Sequence, residues 1–313
     1  MIKVAINGFG RIGRILARII LQNKHFELIA INDIYDIYMM DYLLKHDSIY
    51  GNFKKRNTIK MTSCADIKKL DWSGVDILFE CSGIYTKEDE LKYHLENGAK
   101  KIILSTYSNE LPMFIMGFNE KKYNNENIIS SCSCTANCVV PILSVIDKYV
   151  GIQKCNITTI HSYTSEQNLL DNKNTDIRRS RSATQNIIPL SSNVANASVY
   201  FLPHLKDKLS ANSIRIPVGN GVLIDLHIKI SQKSKLSHIK KILNENINKN
   251  IVKISKNFMV STDVKGIGYS SIIDENSIHL VQDDFLQLLL WQDNEYGYAK
   301  KVEQMAELMK EYL

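Results

Sequence analysis

Short apolar runs alternate with helical spacing through the first part of the chain. The pattern predicts helices over 15–23, 41–53 and 88–96, and strands at 2–6, 27–31, 75–80, 101–104, 113–116 and 127–130. Strands that alternate with helices are typical of a mostly parallel sheet, which binds its ligand at the carboxyl ends of its strands. We therefore expect an α/β domain over residues 1–133.

The pattern changes after residue 133. A long helix to about residue 149 and a polar segment over 162–186 are predicted, with alternating strands at 156–160, 213–217, 221–231 and 285–291 and a helix over 236–248. Strands with few helices between them indicate an α+β second domain over 134–297, with a mainly antiparallel sheet. Residues 298–313 predict an amphipathic helix whose apolar stripe contains Met305, Leu308 and Met309.

Composition narrows the class of protein. With 313 residues, 44% of them hydrophobic, the chain can build two cores. It contains no apolar run of about 18 residues, and its first residues run directly into a strand, so we expect neither a membrane span nor a signal peptide. Six cysteines without a compact disulfide framework favour a reducing cytoplasm. A net charge of +6 suits anionic small substrates and is no argument for nucleic acid.

A glycine-rich loop follows the first strand. Gly8, Gly10 and Gly13 form G-x-G-x-x-G between a strand and a helix, the context in which this motif binds dinucleotides. Gly8 permits the tight turn, Gly10 lets a pyrophosphate approach the backbone, and Gly13 allows close helix–strand packing. Asp33 lies at the end of the second strand, where a carboxylate binds the adenosine ribose and repels a 2′-phosphate. The alternative is a glycine turn without a ligand.

Cys134 is the candidate nucleophile. It lies between Ser133 and Thr135, where a loop turns into the long helix. The partial positive charge of a helix N-terminus favours thiolate, which is the reactive form of cysteine. The alternative is a buried structural thiol, because free cysteine is among the most buried residue types.

Eight segments then carry a resemblance that runs almost end to end. They read INGFGRIGR, IND, PMFIMGFN, SCTANC, TTIHSYT, RRSRSATQNIIP, RIPV and WQDNEYGY. In this order they resemble the phosphorylating glyceraldehyde-3-phosphate dehydrogenase family of bacterial type. The resemblance implies a Rossmann domain that binds NAD, a catalytic domain, a last helix over 298–313 that packs back on the first domain, and a cytosolic homotetramer.

The resemblance also implies roles for individual residues. Cys134 matches the family nucleophile and His161 the histidine that pairs with it, which can stabilise thiolate and pass a proton. Asp33 matches the ribose ligand, and further cofactor contacts are implied for Arg11, Ile12, Ser105 and Asn294. No metal site is predicted.

Two anion sites are implied as well. Thr164, Arg181 and Arg215 match the cradle for the substrate phosphate. The site for the attacking phosphate is matched by Ser133, Thr135, Ser192, Asn193 and Arg215. Arginine suits both because its planar fork binds phosphate oxygens in pairs. We assign Arg178 and Arg179 to a solvated basic face.

The implied reaction has two halves. The Cys134 thiolate attacks the aldehyde of glyceraldehyde 3-phosphate, and the thiohemiacetal passes a hydride to NAD. Inorganic phosphate then cleaves the thioester, giving 1,3-bisphosphoglycerate. The Cys134 backbone N–H and His161 are expected to stabilise the oxyanions.

Several positions depart from the family pattern. Asn193 replaces a glycine, so a left-handed backbone there is expected to carry a cost. Ala65 aligns with an adenine-side arginine, and Glu166 replaces an aspartate. Lys173 lies in a loop that reaches a neighbour's cofactor in the family, and it favours NADP tolerance, whereas Asp33 favours NAD.

Two rival hypotheses remain open at this point. The first is erythrose-4-phosphate dehydrogenase on the same scaffold, against which Thr164 argues. The second is a binding protein that has kept the fold and lost catalysis, motivated by the departures from Ala65 to Asn193. The presence of Cys134, His161 and Arg215 argues against it.

Overall fold

The computed structural model describes residues 1–54 and 59–313. It divides into two compact units, Met1–Ser133 with Tyr298–Leu313, and Cys134–Gly297. In the described part of the chain no helix is long and apolar enough to cross a membrane.

The first unit is built on a parallel sheet. Its elements are β1 (Ile2–Asn7), α1 (Arg11–Gln22), β2 (Phe26–Asp33), α2 (Ile37–Lys45), β3 (Lys60–Ser63), β4 (Ile77–Glu80), α3 (Glu88–Glu96), β5 (Lys101–Leu104) and β6 (Ile128–Ser130). The strand order is β3-β2-β1-β4-β5-β6, and every pair is parallel. This order is that of a Rossmann sheet, whose ligand crevice lies where the order reverses, between β1 and β4. The predicted α/β Rossmann class is confirmed.

The last helix, α7 (Tyr296–Met309), contributes most of its length to the first unit. Tyr298 Oη donates to Cys132 O at 2.8 Å and lies 2.8 Å from Ser131 Oγ. Glu307 Oε1 lies 2.6 Å from His25 Nδ1. The buried contacts of Tyr298 and the exposed contact of Glu307 fasten the end of the chain to residues beside the strand ends of the first sheet.

The second unit carries a mixed, mainly antiparallel sheet. Its elements are α4 (Cys134–Val150), β7 (Ile152–Ser162), β8 (Ile188–Ser191), α5 (Val194–Phe201), β9 (Leu209–Ile216), β10 (Val222–Ile230), α6 (Leu236–Asn246), β11 (Val252–Ser255), β12 (Ser271–Asp274), β13 (His279–Val281) and β14 (Phe285–Gln292). The order is β11-β12-β14-β10-β7-β9-β8, with β13 paired to β14. The pairs β7–β9 and β11–β12 are parallel and the others antiparallel. The predicted α+β class is confirmed.

The helix predicted over 41–53 is displaced. In the structure α2 begins after Asp36, whose side chain accepts a hydrogen bond from Met39 N at 2.8 Å. The helix ends at Lys45 because Asp47 Oδ1 then accepts from the backbone N–H groups of two residues that follow it, at 2.9 Å each. A side chain that binds nearby backbone groups competes with the helical ladder in this way.

The strand predicted at 113–116 is wrong. Only a single bridge, Met113 to Ser130, joins this segment to the sheet. The Asn119 side chain donates to Met113 O at 2.9 Å and accepts from Ile115 N at 2.8 Å. Because these backbone groups are bound by an amide side chain, they are lost to a strand ladder.

Candidate active site

The glycine-rich loop owes its shape to two close approaches. Gly8 has a φ of +91°, and a Cβ on it would lie 2.2 Å from Ser82 N, at the end of β4. A Cβ on Gly13 would lie 2.0 Å from Gly8 O. A Cβ on Gly10 would meet nothing within 4 Å, so the loop backbone is open where α1 begins. An open backbone at a helix N-terminus fits a pyrophosphate, which the N–H groups of the first turn would hold.

Alanine should therefore affect stability at Gly13 and NAD binding at Gly10. Gly13→Ala is expected to lower the free energy of unfolding by about 1–3 kcal/mol, because its methyl group overpacks the loop. Gly10→Ala should change it by less than about 1 kcal/mol and instead weaken NAD binding. Urea unfolding and calorimetric NAD titration measure the two effects. Parent-like unfolding of Gly13→Ala, or parent-like NAD affinity of Gly10→Ala, would contradict the assignment of that glycine.

Asp33 lies beside this loop. One of its carboxylate oxygens accepts a hydrogen bond from Phe9 N, and the other accepts from Ile34 N at 2.7 Å. The carboxylate is thus held at the carboxyl end of β2, next to the glycine turn. A ribose on the loop would meet oxygens that accept from its hydroxyls, whereas a 2′-phosphate would meet their charge.

The other predicted cofactor residues of the first unit are placed as follows. The Arg11 guanidinium forms an ion pair with buried Asp47. Ile12 lies in the first turn of α1. Ser105 follows β5 and donates its N–H to Glu80 O at 2.9 Å. Its side chain opposes the rise that burial causes in the pKa of the Cys81 thiol.

The second unit begins at Cys134, the first residue of α4. Its Sγ lies 3.9 Å from Thr135 Oγ1. Burial raises the pKa of the Cys134 thiol, and the Thr135 hydroxyl and the charge of Arg215 oppose that rise. Cys155, in β7, is a contrasting case, because burial alone raises the pKa of its thiol to about 12. Of these two thiols, Cys134 is the one with groups beside it that favour thiolate.

His161 and Arg215 are register partners on neighbouring strands. β7 and β9 run parallel with His161 opposite Arg215, and Arg215 Nη1 contacts His161 Nδ1. Ser162 O lies 2.7 Å from the same Nδ1 and accepts from Arg215 Nη1 at 3.0 Å. Burial, and then the charge of Arg215, lower the pKa of His161 to about 3. The imidazole is therefore neutral at physiological pH.

This arrangement changes the expected division of roles. The sequence predicts that His161 stabilises the thiolate, whereas the charge that lowers the pKa of Cys134 in the structure is that of the Arg215 guanidinium. Within the described part of the chain His161 forms no hydrogen bond with the Cys134 thiol. A neutral imidazole still has one ring nitrogen to accept a proton and one to donate, as a general base requires.

The low pKa of His161 predicts that acid destabilises the fold. An unfolded histidine titrates near 6.5, so between that pH and about 3 the unfolded chain binds the extra proton, and stability is lost as the pH falls. At pH 5 the expected penalty is about 2 kcal/mol relative to neutral pH. Urea unfolding of the parent and of His161→Asn at pH 7.5 and 5.0 measures it. Equal acid sensitivity of the two proteins would contradict a neutral buried His161.

The substrate-phosphate residues fall into two groups. Thr164 Oγ1 and Arg215 Nε are buried donors without a hydrogen-bond partner among the described residues. Thr164 follows β7 by two residues. Arg215 lies near the end of the parallel neighbouring strand β9, so both residues occur at the carboxyl ends of these two strands. Unpartnered buried donors are costly and point to a ligand that completes them. Arg181, by contrast, is largely exposed and is paired with exposed Asp171 at 2.9 Å.

The structure instead brings Arg179 towards Arg215. Arg179 forms an ion pair with Glu166, its side chain is 27% exposed, and the charges of both residues act on the pKa of Arg215. Arg179 Nε is buried and lies 3.9 Å from Asp176 Oδ2, too far for a hydrogen bond. The solvated basic face predicted for Arg179 is therefore corrected, because its Nε is buried. In an irregular run of three arginines no periodicity separates the inward-facing one from the others.

The attacking-phosphate residues contain one correction. Asn193 has φ −84° and ψ 3°, so the left-handed backbone expected there does not occur, and this substitution for glycine carries no such cost. Asn193 is the N-cap of α5, and Ser192 Oγ accepts from Val194 N at 3.3 Å. Thr135 lies in the first turn of α4, and Ser133 is the residue that precedes that helix.

Asn294 is held by its side-chain oxygen. Asn294 Oδ1 accepts from Gly221 N at 3.1 Å and from Ser162 Oγ at 3.3 Å. This leaves its NH₂ group to donate, and that group has no partner among the described residues. A fixed amide donor suits the carboxamide oxygen of a nicotinamide.

Comparisons with known proteins match both units of the chain to one family. The model for the NAD binding domain of glyceraldehyde 3-phosphate dehydrogenase matches residues 2–88, and the model for the C-terminal domain of that enzyme matches residues 133–294. Glyceraldehyde-3-phosphate dehydrogenase 1 of Bacillus subtilis is 38% identical to the chain over 97% of each protein. The enzyme of Kluyveromyces lactis is 36% identical over 98% of this chain and 99% of its own. That of Buchnera aphidicola is 37% identical over 98% of both.

The fold and the matched domain thus define the protein as an NAD-dependent oxidoreductase. More narrowly, the chain belongs to the glyceraldehyde-3-phosphate dehydrogenase family.

Proposed function

We propose that this protein oxidises D-glyceraldehyde 3-phosphate with NAD and phosphorylates the product to 1,3-bisphosphoglycerate, with Cys134 as the nucleophile. The observation that carries the proposal is the cluster of the second unit: a thiol at a helix start, a neutral imidazole, and an arginine whose Nε is a buried donor without a partner. The family of the chain supports the same reaction.

The first half-reaction begins at the thiol. The thiolate of Cys134 adds to the aldehyde carbon, and the carbonyl oxygen takes up the negative charge and then a proton. His161, neutral before reaction, takes the thiol proton as the thiolate forms, passes it to the carbonyl oxygen, and takes it back as the hydride leaves the carbon, so that a thioester remains. Bound NAD supplies the hydride acceptor. Arg215, with Thr164, is expected to hold the substrate phosphate, because both carry unpartnered buried donors.

The second half-reaction releases the thiol. An oxygen of inorganic phosphate attacks the thioester carbonyl, the carbon–sulfur bond breaks, and the thiolate of Cys134 leaves as the acyl phosphate forms. Ser133, Thr135 and Ser192 are the hydroxyls that we assign to the attacking phosphate. Ser192 precedes the N-terminus of α5, where N–H groups favour an anion.

The test is NADH absorbance after mixing enzyme, NAD and glyceraldehyde 3-phosphate, with and without inorganic phosphate. Sustained turnover that requires phosphate is expected. A single burst that phosphate does not relieve would contradict the second half-reaction. Absence of any NADH would contradict the first, and a higher kcat/KM with erythrose 4-phosphate would favour that aldehyde instead.

We further propose NAD selectivity, a cytoplasmic location and a homotetramer. Asp33 supports the first, since it would repel a 2′-phosphate. Exposed apolar side chains support assembly: they occur in one group around α2 and a second in the segment before β8, namely Ile34, Tyr35, Ile37, Tyr38, Tyr42, Leu169, Leu170, Ile177 and Ile187. Light scattering after size exclusion measures the mass, and a monomer would contradict assembly.

A further inference from the structure

A glutamine occupies a position where the strand pattern calls for an apolar residue. Along β14 the buried positions alternate, and Leu286, Leu288 and Leu290 are all fully buried. Gln292 is the next in this series and is only 1% exposed. A polar side chain in an apolar register must be explained by what it binds.

Gln292 binds the backbone of the candidate nucleophile. Its Nε2 donates to Cys134 O at 2.8 Å. Cys134 is the first residue of α4, so its carbonyl can already accept the helical bond from four residues ahead. The glutamine therefore adds a second donor to a carbonyl that can already accept a hydrogen bond within the helix. The residue that receives this extra bond is the candidate nucleophile, whose side chain must be oriented towards the substrate.

The sheet register places Gln292 in the row that carries the other reactive groups. Gln292 pairs with Val222 of β10, Val222 pairs with His161 of β7, and His161 pairs with Arg215 of β9. Residues that lie directly opposite one another in neighbouring strands project to the same face of a sheet. One row of four strands thus carries the imidazole, the guanidinium and the amide that holds Cys134.

The other end of the Gln292 amide is unsatisfied. Its Oε1 is buried and has no hydrogen-bond partner among the described residues. An unpaired buried acceptor destabilises a fold, and an apolar residue of the same length would remove that cost. Stability alone thus does not account for glutamine at this position.

We propose that Gln292 is a positioning residue that fixes the Cys134 backbone against the row of His161 and Arg215. The inference rests on the proposed role of Cys134. We expect loss of the Gln292 amide to slow the chemical step without lowering stability. Without it, the Cys134 thiol is held less precisely beside His161 and Arg215.

Gln292→Met tests this, because methionine has nearly the same length and no amide. We expect kcat to fall roughly tenfold with KM values within about twofold of the parent, and a thermal midpoint equal to or above that of the parent. Alkylation of Cys134 by iodoacetamide, located by mass spectrometry, should shift its midpoint to higher pH, because the thiol lies less well placed against Arg215. Other titratable groups in its surroundings are His161 and Cys138.

Gln287→Met is the matched control. This glutamine lies on the same strand and donates to Asp225 Oδ1 at 3.1 Å, away from the nucleophile. It should lower the thermal midpoint slightly and leave both kcat and the alkylation midpoint at their parent values. Gln292→Asn, which keeps the amide but is one methylene too short to reach, should reproduce the loss in kcat if Gln292→Met fails to fold.

Two results would overturn the inference. One is a parent-like kcat and alkylation midpoint in Gln292→Met or Gln292→Asn. The other is a loss of activity that follows a lowered thermal midpoint, as in a purely structural role. Alkylation requires no turnover, so an inactive parent would count against the proposed function alone, while the alkylation shift would still decide the role of Gln292.

Discussion

Cys134→Ser is expected to lower kcat by about 10⁴-fold or more, the scale on which loss of a nucleophile acts in other enzymes. A serine hydroxyl has the shape of the thiol but is far harder to ionise, and Arg215 and Thr135 favour the anion only in part against burial. The fold and the affinity for NAD should be unchanged, because the glycine loop and Asp33 belong to the first unit. Stopped-flow NADH formation and calorimetric NAD titration measure both.

Cys155→Ala is the control for this substitution. Cys155 lies in the core of β7, and nothing beside it favours thiolate. Its removal should reduce stability through a small cavity and leave kcat at the parent value. If Cys134→Ser turned over like the parent, or Cys155→Ala lost the burst of NADH, the assignment of the nucleophile would be wrong.

Local patterns account for what the sequence could predict. The glycine loop, its preceding strand and its following helix are contiguous, so spacing alone gives their roles, and the structure supplies the reason in the contacts of Gly8 and Gly13. The same holds for Cys134 at the start of α4. In each case one short segment contains all of the residues on which the prediction depends.

Non-local contacts account for what it could not. The choice between Arg179 and Arg181 depends on which of them faces Glu166 or Asp171, and no spacing encodes that. The strand expected at 113–116 is lost to a side chain several residues on, Asn119. Gln292 could have been noticed as a polar residue in an alternating apolar strand, but its partner is 158 positions away.

Arg215 links the two reactive groups of the site electrostatically. Its charge lowers the pKa of Cys134 and also lowers that of His161, so one cation makes the thiol more acidic and keeps the imidazole neutral. Burial also lowers the pKa of His161 and so keeps the imidazole neutral. At Cys134, however, burial raises the pKa and disfavours the thiolate. Arg215 thus offsets part of the rise in the pKa of Cys134 that burial causes.

Arg215→Leu is accordingly expected to lower kcat/KM by about 10²–10⁴-fold, the loss that corresponds to two charge-assisted hydrogen bonds. The alkylation midpoint of Cys134 should move to higher pH, because a charge that lowers its pKa is gone, and His161 should protonate at higher pH for the same reason. Steady-state kinetics and the pH dependence of alkylation measure the two effects. An unchanged alkylation midpoint would show that Arg215 does not act on the thiol.

Arg215→Lys separates charge from shape. Lysine retains a cation but lacks the planar fork that reaches Ser162 O and a phosphate together, so the alkylation midpoint should recover more than the KM for the aldehyde. Arg179→Leu and Arg181→Leu complete the series. Since Arg179 faces Glu166 beside Arg215 whereas Arg181 faces solvent and Asp171, the larger rise in KM is expected for Arg179. The reverse order would return the phosphate role to Arg181 and would mean that its pairing with Asp171 breaks when substrate binds.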